Sequence, residues 1–396
     1  MKKLVITSAV ALSLSGIAGS VMAEDIKIGV FLGLTGPLES TVANMAPAAE
    51  QAIAEVSESG KLLDGVKIEA VRADTTCVDT AAATAAIERL ITSDKVAGVV
   101  GGDCSGVTTA ALTNVALPNG MVMISPSATS PALSAVKDNG LFFRTAPSDA
   151  RQGVVMSGII GDKGIKEVAL SYTNNDYGKG LADAFQSAFE EAGGTVTISA
   201  AHEDGKADYT AEVGALASAG GEVLVVVGYI DQGGKGIIQA SLDTDAFDTF
   251  VLPDGMVGDA LSEAIGEDLN GSFGQAPGND GPGAGKLVEI AGDAYDATAP
   301  YANESYDAAA LIMLAMQAAG STDPNKYKDS VMDVANAPGE EILPGELAKA
   351  LEILASGGEV NYQGASNVEL IGAGESAGNF REIEIKDGAV STVGYR

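Results

Sequence analysis

Apolar runs without interruption alternate along this chain with segments whose apolar residues recur every three to four positions. Residues 25–32 (DIKIGVFL), 66–74 (VKIEAVRAD), 96–102 (VAGVVGG), 121–126 (MVMISP) and 141–147 (LFFRTAP) read as strands. Between them, residues 45–60, 79–94 and 107–116 read as helices. Asp79 stands at an N-cap position and Gly60 just past a helix end. Strands that are apolar at successive positions are covered on both faces, which predicts a parallel sheet with helices on each side. The alternation then repeats: helix 148–161, strand 167–174, helix 178–193, strand 195–201, helix 208–219, strand 222–229, helix 233–242 and strand 249–252. The expected fold class is therefore α/β, with two doubly wound parallel-sheet lobes. Residues 271–286 (GSFGQAPGNDGPGAGK) are a Gly/Pro/Asn-rich connection. Helices at 286–296, 303–319, near 325–334 and 345–356 follow, and two strand-like pieces close the chain.

In open parallel sheets, ligands lie outside the carboxyl ends of the strands. Those ends carry Asp103, Cys104 and Ser105; Ser125, Ser127, Ala128 and Thr129; Asn174, Asn175, Asp176 and Tyr177; Tyr229 and Asp231; and Asp254. Hydroxyls gather in the first lobe, and tyrosines with a carboxylate in the second. Ser105, at a helix start, can hold a carboxylate with the help of free backbone N–H groups. Asp254 can pair with an ammonium in a site shut off from water. A ligand with both groups is an α-amino acid. The same residue types have simpler uses: Ser and Thr cap helices, and Pro-Asp-Gly makes turns. The residues alone leave both readings open.

Composition narrows the field. At 396 residues and 46% hydrophobic content the chain can bury a large core. Its 54 acidic side chains exceed the 23 basic ones by enough to disfavour nucleic acid and anionic lipid as partners. The start, MKKLVITSAVALSLSGIAGSVMA, has the layout of a secretory signal with a cut after Ala23, so residues 1–23 are assigned to a signal peptide and the mature chain to the periplasm. Two cysteines, Cys77 and Cys104, suit one disulfide in an exported protein, with a pair of free thiols as the alternative. The single histidine, His202, is expected on an exposed turn. Gly285-Lys286 is not a phosphate loop, because Asp280 and Leu287 occupy its required Gly and Ser/Thr positions. No Gly-x-Ser-x-Gly elbow surrounds Ser105, and no catalytic constellation, metal set or cofactor motif stands out.

At these residues the chain resembles the periplasmic leucine/isoleucine/valine-binding protein family, the receptors of ATP-driven amino-acid importers. The resemblance rests on EDIKIGVFLGLTGPL, DTTCVDTAAATAAIERLI, VVGGDCSG, MISPSATSPAL, FFRTAPSD, NDYGKGLA, VLPDG, YDAAALIMLA and NYQGAS, in the family's order. It implies a type I periplasmic binding fold: lobe one from 24–145 plus 277–356, lobe two from 146–276 plus 357–396, three hinge crossings, and a ligand in the cleft that closes around it. It further implies a Cys77–Cys104 disulfide, and a carboxylate grip on Ser105 and Thr129. The ammonium grip falls on the Ser127 carbonyl, Thr129 and Asp254, beside Ala128. Aromatic walls fall on Tyr177 and Tyr229, and a side-chain pocket near Glu39, Asp103, Cys104 and Tyr301. The implied partners are a small-molecule ligand and an inner-membrane permease with its ATPase, the receptor being a monomer and not an enzyme. Asp103 departs from the apolar residue expected there. A buried unpaired carboxylate is costly, which would give the ligand a polar or cationic end unless Asp103 turns to solvent or to helix N–H groups.

Overall fold

The computed structural model describes residues 25–396, so the expected signal segment 1–23 lies outside the described residues. The first sheet begins with β1 (Ile26–Leu32), β2 (Ile68–Asp74), β3 (Val99–Gly101), β4 (Met123–Ser125) and β5 (Phe142–Pro147). Helices α1 (Glu39–Ser59), α2 (Thr80–Arg89) and α3 (Ser105–Ala111) connect them. After β5 the chain leaves through α4 (Asp149–Asp162) to the second sheet: β6 (Glu167–Thr173), β7 (Thr195–His202), β8 (Val223–Val227), β9 (Phe250–Leu252) and β10 (Phe273–Pro277). Here α5 (Asp176–Glu191), α6 (Thr210–Ala219), α7 (Gly233–Asp243) and α8 (Asp259–Ile265) are the connecting helices. Strand pairing within each set is parallel, as fully buried strands such as β8 (VLVVV) require. The chain then returns through α9 (Pro282–Ala291) and α10 (Ala302–Ala319) to lobe one. Helix α10 is buried along nearly its whole length and packs on α1 and the first sheet, which explains why its apolar residues run all round it.

The late segments place themselves differently from expectation. Strands β11 (Glu340–Ile342) and β12 (Val360–Tyr362) pair with each other, and β13 (Leu370–Ile371) and β14 (Glu375–Ser376) extend the first sheet beside β5. Only β15 (Phe380–Lys386) and β16 (Ala389–Tyr395) belong to the second sheet, antiparallel beside β10. The third crossing therefore falls between Ser376 and Phe380, not near 357, and residues 357–376 belong to lobe one. Strand pieces this short carry too little pattern to reveal which sheet they join.

Three further expectations change. Residues 271–286 are not one loop: β10 and α9 occupy most of it, and the Phe273–Pro277 run is fully buried. Helix α1 starts at Glu39, six residues before Met45, and carries Pro47 inside it. His202 is buried at the end of β7, its Nδ1 2.8 Å from Ser171 Oγ, and burial lowers its pKa to about 4. The glycine that ends β3 has a steric cause. Gly101 has φ +131°, and a Cβ there would meet the Phe31 carbonyl oxygen at 2.0 Å.

Candidate functional site

The ends of β3 and β4 lie side by side, because the strands pair in register, and this brings two loops together. Ser125 Oγ donates to the Gly102 carbonyl at 2.5 Å and accepts from Ala128 N at 2.9 Å. Ser127 Oγ donates to the Asp103 carbonyl. Ser105, the first residue of α3, accepts from Ser130 N at 3.1 Å through its hydroxyl oxygen. No side chain caps α3, so Ser105 is not serving as its N-cap. Arg144 of β5, fully buried, braces the second loop: Nη1 donates to the carbonyls of Ala128 and Ser130, and Nη2 to Ser134 Oγ and Glu375. Thr129 sits between those two carbonyls. It is buried and its hydroxyl has no hydrogen-bond partner.

Lobe two presents carboxylates to the same region. Asp254 follows β9 in a short 3-10 turn and is 4% exposed. Its Oδ1 accepts from Gln152 Nε2 at 2.7 Å and from the Tyr177 hydroxyl at 2.8 Å. Its Oδ2 accepts from the Tyr301 hydroxyl, which lobe one supplies. Burial raises the Asp254 carboxyl pKa, and these donors oppose the shift. Tyr177 and Tyr229 stack with ring centroids 5.3 Å apart.

A residue that sequence reasoning missed completes the set. Asp149 opens α4 and is fully buried, and its amide donates to the Thr129 carbonyl at 2.9 Å. The Thr129 hydroxyl is near enough to favour the ionised form, but neither carboxylate oxygen meets hydrogen-bond geometry with any donor. Burial first, and then the charge of Asp254, push the Asp149 carboxyl well above its usual range. No lysine or arginine forms an ion pair with either carboxylate among the described residues. Arg144, itself paired with Glu375, offsets this in part; two neighbouring buried carboxylates still disfavour each other's ionisation and are poorly solvated, so the arrangement suits a cationic guest. The available signal was the acid in FFRTAPSD, which resembles an ordinary first-turn helix residue.

The pocket residues divide. Asp103 is 1% exposed and does not turn to solvent. Its Oδ2 accepts from Gly33 N at 2.8 Å and its Oδ1 from Thr75 Oγ1 at 2.7 Å. Both oxygens are satisfied inside lobe one, so Asp103 does not by itself require a polar ligand end. Cys104, beside it, is bonded to Cys77, and Thr75 Oγ1 accepts from Cys77 N at 3.1 Å. The disulfide thus fastens the β2 and β3 loops that carry this network. Glu39 stands exposed in the first turn of α1, a position that favours solvated acids, and takes no part in the network.

Comparison with known proteins adds to this geometry. The family model described as periplasmic binding protein matches residues 25–339. The Leu/Ile/Val-binding protein homolog 1 of Brucella suis is 30% identical over 340 residues, covering 84% of this chain and 89% of the relative. The chemotactic signal transduction system substrate-binding protein BasB of Halobacterium salinarum is 27% identical over 389 residues, covering 93% of this chain and 89% of its own. Among solved structures, the leucine binding protein LivK of Thermotoga maritima superposes with a TM-score of 0.76 at 22% identity, covering 93% of this chain and 98% of that one.

Proposed function

The chain belongs to the leucine/isoleucine/valine-binding family of type I periplasmic binding proteins, and from that premise we propose that it captures an α-amino acid between its lobes. Proteins of this family are solute-binding components of ABC-type transporters. In the proposed mode, the ligand carboxylate rests on Ser105 and Thr129 at the start of α3 and in the β4 loop. Its ammonium lies against Asp254 and Asp149, with the Ser127 carbonyl beside it. Tyr177, Tyr229 and Tyr301 wall the site. Its side chain extends toward the disulfide Cys77–Cys104.

The observation that carries this reading is the Asp149–Asp254 pair. Bringing an ammonium between two desolvated carboxylates supplies charge-assisted hydrogen bonds and relieves their repulsion. A purely anionic solute would meet that repulsion instead. The loaded receptor would then present its ligand to an inner-membrane permease and ATPase, the chain having reached the periplasm on its N-terminal signal. Calorimetry against the amino acids, their N-acetyl derivatives, betaines and polyamines tests the assignment. Binding that requires a free amino group supports it, and binding confined to solutes without one overturns it.

One observation favours a second destination for the same ligand. The Halobacterium relative, matched over nearly the full chain, serves a chemotactic signal transduction system. Uptake of labelled ligand by cells lacking this gene separates the two, since transport fails only if the receptor feeds a permease.

A further inference from the structure

Helix α1 is 21 residues long, yet its own sequence supplies no side-chain cap: the N-cap position is Leu38. The missing acceptor comes from the other lobe. Asp231, two residues beyond Tyr229 in the loop after β8, places Oδ2 2.9 Å from Ser40 N and 2.9 Å from Ser40 Oγ, both of which donate to it. The Asp231 amide in turn donates to the Pro37 carbonyl at 3.2 Å. These three hydrogen bonds tie the first turn of α1 to lobe two at 191 residues' separation. A carboxylate at this place satisfies an orphan N–H and faces the positive end of the helix dipole.

We propose that Asp231 is a cap supplied in trans, which α1 possesses only while the lobes are closed, and that it sets ligand affinity through closure. When the lobes part, Ser40 N and the Asp231 carboxylate return to water, and α1 keeps an uncapped end. The contact therefore favours the closed form alone. A residue of this kind acts on the lifetime of the closed complex rather than on the encounter with ligand, and it contributes little to the fold of the open protein.

The inference rests on the proposed lobe closure around an amino acid, and its test separates the two. L-leucine is titrated into the wild type, Asp231→Ala, Asp231→Asn and Ser40→Ala. Removal of a helix cap of this type is expected to weaken binding about tenfold in Asp231→Ala, with smaller losses in the other two. The loss should appear in the dissociation rate, and the melting temperature of the ligand-free protein should stay where it was. Unchanged affinity, a change confined to the association rate, or an equal fall in ligand-free melting temperature overturns the proposal. If neither L-leucine nor any other amino acid binds the wild type, the ligand assignment fails while the latch remains testable. The double variant Ser40→Cys/Asp231→Cys should then form an interlobe crosslink on mild oxidation, and its absence removes the latch.

Discussion

The Tyr301 hydroxyl, carried by lobe one just before α10, donates to the Asp254 carboxylate of lobe two. The same carboxylate also receives Gln152 and Tyr177 from its own lobe. A single acid thus joins the lobes and forms half of the proposed ammonium site. Asp254→Asn keeps the shape and removes the charge. L-amino-acid binding should fall by at least about a hundredfold, the range seen when a buried charge pair loses one partner. The ligand-free protein should melt no lower than wild type, because the repulsion from Asp149 is gone. Calorimetry and thermal unfolding read the two effects. Retained affinity would remove Asp254 from the site.

The pH dependence of stability has a sign that follows from Glu304 and His202. Glu304 is 3% exposed at the start of α10, and burial raises its pKa from 4.5 to about 8. The folded chain then binds a proton that the unfolded chain has lost, so stability falls as pH rises between about 4.5 and 8. His202 acts oppositely: its folded pKa of about 4 lies below the usual 6.5, and its contribution is lost as pH falls through that window. Between pH 6.5 and 8 the Glu304 slope should dominate. The ligand-free melting temperature of the wild type should drop across this interval, and that of Glu304→Gln should drop less steeply, the raised Asp149 carboxyl keeping a slope of the same sign. Parallel curves would refute the assignment.

Asp103 yields a prediction about packing. Its carboxylate is the acceptor for Gly33 N and Thr75 Oγ1, both in buried surroundings. Asp103→Leu leaves both donors without a partner, which is expected to cost about 1–3 kcal/mol each. The variant should unfold at lower denaturant while its ranking of amino-acid ligands stays the same. A shifted ranking at wild-type stability would return Asp103 to the ligand pocket.

The Cys77–Cys104 disulfide should leave no free sulfhydryl on thiol titration of denatured, unreduced protein. Replacing both cysteines by serine opens the loop and should lower stability by about 3 kcal/mol. Ligand affinity should weaken in parallel, because the crosslink holds the Gly33–Asp103–Thr75 network. An unaltered affinity would confine the disulfide to the fold.

The repeating alternation of apolar strands and amphipathic helices was legible from the sequence, because a strand buried on both faces cannot be anything but apolar. The family and the Cys77–Cys104 pairing were legible through the resemblance, and the placing of Ser105, Thr129, Tyr177, Tyr229 and Asp254 at strand ends through local runs and turns. Contacts between distant segments were not legible. Asp149 looks like any first-turn acid until the fold sets it beside Asp254. Asp103 looks like an unpaired charge until Gly33 and Thr75 come within reach. The start of α1 was misplaced because its N-cap position is Leu38, which offers no capping side chain, and Pro47 lies inside the helix. Residues 357–376 joined lobe one because two-residue strands gain their identity from the neighbours they pair with. Local pattern determines which backbone forms are affordable, whereas burial and partnership of single polar groups depend on the whole tertiary arrangement.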